Sequence, residues 1–509
     1  MKKKIFSAIL VAAMATSMLA GCTNGTEGGD TGAQGGSTGS TQGGSTAVSA
    51  DGVTTIEVYR ATYNLSAVDD AQVQKVADAI NAYLEEKGAT VRINLHDIHN
   101  SEYGQKANLA FNNGEVDLLW NASWWGDGIG TNDIYGNKGA YDLTDIIAGS
   151  VLESSMDAGI WEASKYDGKI YFVPVYKEAY EGYDLKAPQA MVDKYGWDLS
   201  TVKELKDIEP MLAQLQADGV KQPYTTQTTA MFFRYGIDQF DFFTQTAGYG
   251  VDRKTNTVVS PIESEAYAEF CKLMGDWYAK GYISDDDLTK ATPANICQTT
   301  DWGFTWWTCV PGDEGNSESR DLCDEAMIDG ITGKYVHSTT TLGSCYTVSA
   351  TCTEAEAKAC VEFLGYLFTD SKLADLYTYG IEGEDYTIED GKVAQNSDKY
   401  NHSAWESTSV KALSLTTADD DDKIAIYDSM NKAAATSCAA GFRFDKTPVA
   451  AEYAACDAII QEYGYALENG AYPADKVDAV IAEYLEKLNA AGYQKVLDEF
   501  SAQYEAWKN

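Results

Sequence analysis

Two pairs of adjacent tryptophans in polar, glycine-containing sequence are the features best suited to bind a ligand. The first is Trp124 and Trp125, with Asp127 close behind, and the second is Trp306 and Trp307. Two neighbouring rings in a loop cannot both point into one core, so we expect at least one ring of each pair to be exposed or to lie in a cleft. A flat indole face beside a carboxylate suits a sugar, whose ring C–H groups lie on the indole while its hydroxyls bond to polar groups. The alternative is that these rings cap the core or fill a contact between domains.

Signals for catalysis and for metal ions are weaker. His96 and His99 lie on or beside a predicted strand, whereas the H-E-x-x-H zinc motif requires a helix. No spacing of acidic residues singles out a pair of carboxylates for glycoside cleavage. The aspartate runs 285–287 and 419–422 lack the ligand spacing and the glycine of a calcium loop. We therefore expect no catalytic residue, no metal and no cofactor.

The composition excludes several classes of partner. The formal net charge is -39, and a chain this acidic repels nucleic acids, whose binding depends on lysine and arginine. The few arginines also disfavour strongly anionic ligands, although one buried arginine would be enough to bind a carboxylate. Nine of the ten cysteines follow residue 270 without any C-x-x-C spacing, which favours small core residues in a reducing habitat over redox or zinc motifs.

The N-terminal residues predict export and a lipid anchor. Three lysines precede an apolar run from Ile5 to Leu19, which is typical of a secretory signal peptide over residues 1–21 and too short for a membrane-spanning helix. The run ends in Leu-Ala-Gly-Cys, which resembles a bacterial lipobox and makes Cys22 the expected lipidation site. A plain secretion signal with an incidental cysteine is the alternative. Residues 22–52 then form a flexible tether rich in glycine, serine and threonine, so we expect the folded part at the extracellular face of the cytoplasmic membrane.

The elements that position the tryptophans follow from the apolar pattern. Alternating residues predict strands at 55–60 and 91–95, and helical spacing predicts a helix between them at 71–87. A second helix near 102–112 leads to an apolar strand at 116–120. Such alternation indicates a parallel sheet covered by helices, and ligands of these sheets bind at the carboxyl ends of the strands. This places the loop after Trp120 in a ligand-binding position. The roughly 450 residues from 53 to 509 suffice for two lobes.

Four segments carry a family resemblance. Residues 138–145 (KGAYDLTD), 167–174 (DGKIYFVP), 379–386 (YGIEGEDY) and 441–449 (GFRFDKTPV) occur in the order found in one protein family. On these segments the chain resembles the family 1 extracellular solute-binding proteins of bacterial ABC sugar importers. It is most similar to the lipoprotein branch with an added C-terminal domain, DUF3502. The resemblance covers residues 53–509.

The resemblance implies an α/β, two-lobed periplasmic-binding-protein-like fold of type II. Each lobe is expected to be a mixed β-sheet flanked by helices, with a helical C-terminal extension. The implied first lobe comprises residues 53–174 and 343–380. The second comprises residues 175–342 and 381–509, including a DUF3502-like region from about 375 to 509. Members of the family close around a ligand held between the lobes, and the importer recognises the closed form.

Site residues follow from the same resemblance. The candidate positions lie after the first strand, in the first ligand loop, just past the first crossing strand, in the second aromatic loop and near the start of a cleft-facing helix. They give the candidate ligand-binding set: Asn64, Trp124, Trp125, Asp127, Tyr176, Glu178, Trp306, Trp307 and Arg443. The tryptophan pairs are not hallmarks of the branch, so the identity of the ligand does not transfer with the fold.

The expected function is therefore capture of a neutral or weakly charged oligosaccharide. The protein would act as a membrane-anchored monomer that delivers its ligand to the permease of an ABC importer, with no bond broken and no nucleic acid bound. A surface lipoprotein that binds a peptide or polyol for uptake or sensing is the alternative, and a secreted glycoside hydrolase is a third. Sugar turnover by the purified protein separates the hydrolase from the other two.

Overall fold

The computed structural model describes residues 52–226, 230–290, 301–308, 325–328 and 330–508. The predicted signal peptide, Cys22 and almost all of the tether lie outside these residues. Strands in the described part, numbered in chain order, are β1 (Thr54–Thr62), β2 (Val91–His99), β3 (Leu118–Asn121), β4 (Phe172–Pro174), β5 (Tyr183–Pro188), β6 (Gln222–Tyr224), β7 (Phe240–Phe242), β8 (Gly250–Asp252), β9 (Thr257–Val259), β10 (Trp302–Thr308), β11 (Glu325–Ile328), β12 (Tyr335–Val336), β13 (Cys345–Val348), β14 (Tyr386–Glu389), β15 (Lys392–Gln395) and β16 (Ala435–Thr436).

The α-helices of the same residues are α1 (Asp70–Glu86), α2 (Asn100–Asn112), α3 (Thr131–Gly136), α4 (Thr144–Ile147), α5 (Val151–Ser154), α6 (Ala158–Ser164), α7 (Gln189–Tyr195), α8 (Glu209–Ala217), α9 (Phe232–Tyr235), α10 (Glu265–Ala279), α11 (Asp285–Leu288), α12 (Ser338–Thr341), α13 (Glu354–Thr369), α14 (Ser371–Tyr379), α15 (Ala404–Ser407), α16 (Lys423–Ala433), α17 (Ala450–Glu468), α18 (Val477–Ala490) and α19 (Tyr493–Lys508). Within the described ranges, none of these helices has the length and apolar character needed to span a membrane.

The predicted strand–helix–strand start is confirmed. β1 and β2 pair in parallel from Thr54 opposite Val91 to Thr62 opposite His99. Between them, α1 begins where the Asp69 side chain accepts hydrogen bonds from the backbone of the first turn, as an N-cap residue does. The apolar face read from the sequence is the face that α1 buries against the sheet.

Two mixed sheets form the centres of two lobes. The first has the order β2–β1–β3–β13–β4, in which β13 is antiparallel to both β3 and β4. The second has the order β11–β5–β10–β6. The chain leaves the first sheet after β4, builds the second, and returns to the first in β13. This is the two-lobed arrangement with mixed sheets and flanking helices that the resemblance implied.

Two hydrophobic cores follow the two sheets. The first contains buried side chains from Ile56 to Ala179 and from Leu342 to Tyr377, and the second those from Tyr183 to Ile328 and from Ala439 to Tyr504. The sequence-based division assigned everything after residue 380 to the second lobe. Three buried side chains of that segment pack in the first core instead: Tyr400, Val410 and Tyr427. The terminal helices α17 to α19 pack on the second core.

Three segments cross between the cores side by side. We name them the first crossing (residues 175–182), the second crossing (334–344) and the third crossing (431–437). Glu181 and Tyr335 exchange backbone hydrogen bonds of 2.7 and 2.8 Å, which join the first crossing to the second. β12 pairs with β16, which joins the second to the third. The Asn431 side chain accepts a bond from Ala179 N (2.8 Å) and donates one to Lys177 O (2.9 Å).

A buried ion network fixes residues 400–406 to the first sheet. Arg60 near the end of β1 donates from Nε to Asp97 Oδ1 (2.6 Å) and from Nη2 to Oδ2 (3.2 Å), and His402 Nε2 lies 2.9 Å from Oδ2. Burial opposes the ionisation of Asp97, but Arg60 and His402 together hold the pKa of Asp97 well below its usual range. A charge buried this way depends on its partners, because losing one leaves the others unpaired away from water.

We predict that Asp97→Asn is strongly destabilising. The substitution leaves the Arg60 guanidinium without its counter-charge in the core, and the expected loss is about 3–5 kcal/mol of unfolding free energy. The control is Glu102→Gln, which removes the exposed partner of Lys106 and should cost less than about 1 kcal/mol. Urea denaturation followed by circular dichroism measures both. Equal losses in the two variants would show that the buried network does not hold this segment.

Candidate functional site

The first tryptophan pair lies where the sheet argument placed it, directly after β3. Trp125 packs edge-on against the fully buried Trp120, with ring centroids 5.6 Å apart at 90°. Trp124 stacks on Trp125 at 5.2 Å and 26°, and 47% of Trp124 is exposed. The expectation that one ring of this pair is exposed is confirmed. Offset and edge-on contacts of this kind hold aromatic rings in defined orientations.

A further indole, missed by the sequence analysis, lies beside this pair. Trp405 in α15 has its ring centroid 6.4 Å from that of Trp124, at 46°, and 5.0 Å from that of Tyr63. Trp405 is half-buried, so part of its surface remains accessible. We call the whole cluster the aromatic platform; its members are Tyr63, Tyr103, Trp120, Trp124, Trp125 and Trp405. The capping box of Ser403 and Glu406 was a local signal for α15, but only long-range packing brings Trp405 here.

Polar groups border the aromatic platform. Asn64 is exposed and donates from Nδ2 to Asn401 Oδ1 (3.2 Å) and to Ser403 Oγ (3.0 Å) in the segment that carries Trp405. Asp127 is exposed and has a left-handed backbone conformation, with φ of 55°. The lack of a side chain at Gly104 in α2 allows the loop to approach, since a Cβ atom there would lie 2.8 Å from Trp125 Nε1 and 2.9 Å from Asp127 Cβ.

The aromatic platform itself is close to neutral. Burial raises the pKa of Tyr63, and the nearby Glu406 carboxylate raises it further, so the phenol stays protonated at neutral pH. Glu406 is fully buried, and one of its oxygens lies 3.5 Å from His402 Nδ1. The structure thus brings Asn64, Trp124, Trp125 and Asp127 together around neutral aromatic faces, which is an arrangement suited to a neutral polyhydroxylated ligand.

Hydrogen bonds join the aromatic platform to the second crossing. Trp120 Nε1 donates to Ser344 Oγ at 2.9 Å, and Trp124 Nε1 donates to the carbonyl oxygen of Gly343 at 2.6 Å. The backbone N–H of Ser123 donates to Leu342 O at 2.9 Å. Trp124 is therefore bonded directly to a segment that runs between the two cores.

Tyr176 and Glu178 lie in the first crossing, where their polar groups bond to neighbouring protein groups. The buried Tyr176 donates its hydroxyl hydrogen bond to Asp428, and Lys411 Nζ lies 4.0 Å from the centre of its ring. Burial and the Asp428 carboxylate raise the pKa of Tyr176. Glu178 pairs with the adjacent Lys177 and is largely covered. Tyr176 thus bonds to a residue of α16, and the Glu178 carboxylate pairs with Lys177 of the same crossing.

The interpretation of the second tryptophan pair as a ligand loop is wrong for Trp306. This sequence forms β10, and the side chains with period-two spacing, Trp302, Phe304 and Trp306, are all fully buried. Trp306 lies in the second core, and its carbonyl oxygen accepts a bond from Arg234 Nη1 at 3.0 Å. For Trp307 the structure describes the backbone, which pairs with Asp184 in β5.

Arg443 lies at a contact between the C-terminal region and the first lobe. Its guanidinium carbon is 4.0 Å from the centre of the Tyr166 ring, a residue of the first core, and Nη1 donates to Phe442 O at 2.9 Å. Close by, Lys446 Nζ lies 3.3 Å from Asp133 Oδ1 in α3. We call the pairs Arg443–Tyr166 and Lys446–Asp133 the interlobe contact. Asp133 of this contact lies in α3, which follows the loop of Trp124 and Trp125 along the chain.

A groove of about 440 Å³ lies elsewhere, between β9 and α19. Its walls include Val258, Ser260, Gln494 and Leu497. None of its lining residues belongs to the aromatic platform. We refer to it below as the α19 groove.

Comparison with known proteins is informative for the C-terminal region and for the chain as a whole. Residues 438–509 match the family model described as Domain of unknown function (DUF3502). A curated protein of Streptococcus pneumoniae named carbohydrate ABC transporter substrate-binding protein is 27% identical over 440 residues, which cover 84% of this chain and 86% of that protein.

Solved structures agree in fold. The N-glycan transport solute binding protein NgtS of Streptococcus pneumoniae superimposes with a TM-score of 0.76 at 23% identity, covering 89% of this chain and 98% of NgtS. The same protein in complex with Man1GlcNAc gives a TM-score of 0.70 at 23% identity, and the match covers 89% of this chain and 100% of that one. A solute-binding protein of Bifidobacterium longum infantis described as HMO binding gives a TM-score of 0.58 at 13% identity, and the match covers 90% of this chain and 99% of that one. These findings confirm the resemblance to the extracellular solute-binding proteins of carbohydrate ABC importers, in the branch with a C-terminal DUF3502 domain.

Proposed function

We propose that this protein captures an oligosaccharide on the aromatic platform and delivers it to the permease of an ABC importer. The observation that carries the proposal is the exposed indole face of Trp124, set at an angle to the half-buried Trp405 at the carboxyl ends of β1 and β3. The relatives support the ligand class: the curated relative is a carbohydrate ABC transporter substrate-binding protein, and NgtS has been solved with Man1GlcNAc and with Man5GlcNAc.

In the proposed complex, a pyranose ring lies with its C–H groups on Trp124 and its edge towards Trp405. The side-chain amide of Asn64 exchanges hydrogen bonds with its hydroxyls, and the carboxylate of Asp127 accepts hydrogen bonds from them. No cation lies among the residues of the aromatic platform and its polar border, which favours a neutral saccharide over an anionic one. Binding of this kind breaks no bond, so Asp127 acts as a hydrogen-bond acceptor.

Ligand capture and closure are coupled through two sets of contacts. The indole N–H of Trp124 bonds to the second crossing, so a sugar that fixes Trp124 also restricts a segment that must bend when the lobes move. The interlobe contact supplied by Arg443 and Lys446 then favours the closed arrangement. A ligand that binds the closed arrangement more tightly shifts the population towards it by its difference in affinity. This assigns the start of the DUF3502 region a role in closure.

The lipid anchor, the tether and the division into lobes complete the proposed arrangement. Cys22 carries the lipid, residues 23–52 form the tether, and the folded part acts as a monomer at the extracellular face of the membrane. The packing supports a first lobe of residues 53–174 and 343–380, joined by the segment from 381 to about 430 through Tyr400, Val410 and Tyr427. The second lobe then comprises residues 175–342 and the C-terminal DUF3502 region.

Binding of mannose-containing N-glycan fragments tests the function. In titration calorimetry with Man5GlcNAc as the probe, Trp124→Ala and Trp405→Ala should each weaken binding at least about tenfold, or about 1.4 kcal/mol. The matched control is Trp507→Ala, because Trp507 is 41% exposed, similar to Trp124, but lies on α19. Equal affinities for all three variants would contradict the stacking role. Absence of binding across mannose-containing, plant and milk oligosaccharides, or release of sugar products, would contradict the function itself.

A charge reversal tests the interlobe contact. Lys446→Glu places two like charges together and should weaken glycan binding about two- to fivefold at low salt, the scale of an exposed ion pair, with less effect at high salt. Asp133→Lys in the same chain should restore the affinity. The control is Lys495→Glu, since Lys495 pairs with Glu452 inside the C-terminal region with nearly the same exposure of the two side chains (57% and 31%, against 58% and 35%). The same loss in both charge reversals, or no rescue, would show that the contact does not affect closure.

A further inference from the structure

Two thiols and two carboxylates meet at the end of β3 opposite the aromatic platform. Asp117 immediately precedes β3, Cys352 follows β13, and Glu356 and Cys360 lie in α13. The donor atoms of Asp117, Cys352 and Glu356 all lie within 4.8 Å of one another. Cys352 Sγ is 3.5 Å from Asp117 Oδ1, and the side chain of Cys360 neighbours that of Cys352.

The cluster is a property of the fold and not of a sequence motif. Glu356 and Cys360 are four residues apart and therefore lie on one face of α13, and Cys352 lies just before Thr353, the N-cap residue of that helix. The fourth group, Asp117, lies just before β3, 235 residues before Cys352 in the chain. No C-x-x-C spacing marks these residues in the sequence, which is why no metal was expected there.

One oxygen of each carboxylate accepts a hydrogen bond from a backbone N–H group. The N–H of Glu57 donates to Asp117 Oδ2 at 2.9 Å, and the N–H of Thr353 donates to Glu356 Oε2 at 2.7 Å. Bonds of this kind orient ligands in metal sites from outside the coordination sphere. Glu356, Cys352 and Cys360 are buried.

The geometry points to a structural zinc site in which Asp117, Cys352 and Glu356 are already within reach of one ion, and in which Cys360, a neighbour of Cys352, is the fourth ligand. Two sulfur and two oxygen donors are a ligand set that zinc accepts in tetrahedral geometry. On binding, each of the two thiols loses its proton to solvent and becomes a thiolate ligand. The ion would join β3, β13 and α13, and thus stiffen the first lobe at the end away from the ligand. This inference does not depend on the proposed carbohydrate function.

Cobalt binding to the full mature chain under reducing conditions tests the site. The probe is Co²⁺ because a thiolate-to-cobalt charge-transfer band reports only metal bound to sulfur, whereas a chain with 77 acidic residues binds cations weakly elsewhere. The expected result is one equivalent of Co²⁺ with this band, which Zn²⁺ displaces. Cys352→Ser should weaken the band or abolish it. The control Cys438→Ser, in a cysteine packed against the second core, should leave it unchanged.

A second variant keeps the test decisive if Cys352→Ser folds poorly. Asp117→Asn preserves the size of the side chain and should lower Co²⁺ affinity at least about tenfold while the secondary structure measured by circular dichroism stays the same. Absence of the charge-transfer band in the wild type, or an unchanged band in both site variants, would overturn the proposal. So would a Cys352–Cys360 disulfide found by peptide mapping of the protein purified without reductant.

Discussion

The indole N–H groups of Trp120 and Trp124 both donate hydrogen bonds to the second crossing, and under the proposed function these bonds connect ligand recognition to the movement of the lobes. A buried or packed indole needs an acceptor for its N–H, because leaving that group unbonded away from water costs free energy. Trp120 and Trp124 both find theirs in the second crossing, at Ser344 and Gly343. Under the proposed function, the ring that receives the saccharide is thereby bonded to the segment that bends when the two sheets approach. Recognition and closure then share atoms, and no chain of intermediate residues is needed between them.

The contacts that fix the aromatic platform to the first lobe are stronger than the interlobe contact, which suits capture followed by release of a ligand. The aromatic platform is fixed to the first lobe by buried interactions: edge-on ring contacts, and the Arg60–Asp97–His402 network that holds the segment of Trp405 against β1 and β2. The contact with the second lobe depends on an exposed ion pair and on Arg443 over Tyr166. Exposed pairs are weak and reversible. A rigid binding surface with a weak contact across the lobes is what a protein that must both capture and release requires.

Local sequence signals predicted the parts of the molecule that depend on local physics. The alternation in β1 and β2 and the helical spacing of α1 were readable because one face of each element is buried. The position of Trp124 and Trp125 directly after β3 was predictable because the pair follows an apolar strand, and their role in ligand binding stays a prediction. The interpretation of Trp306 was wrong because the spacing of Trp302, Phe304 and Trp306 is that of a buried strand, whereas the glycine in this segment favoured a loop. The position of Trp405, the contact of Arg443 and the meeting of Asp117 with Cys352 depend on long-range packing that spacing does not encode.

A crystal structure of the protein in complex with a bound oligosaccharide tests the central claim most directly. The account predicts a pyranose ring in van der Waals contact, about 4 Å, with the outer face of Trp124, and a second contact with Trp405. The indole N–H of Trp124 should still bond to Gly343. A saccharide found instead in the α19 groove, or bound without touching either indole, would contradict the account.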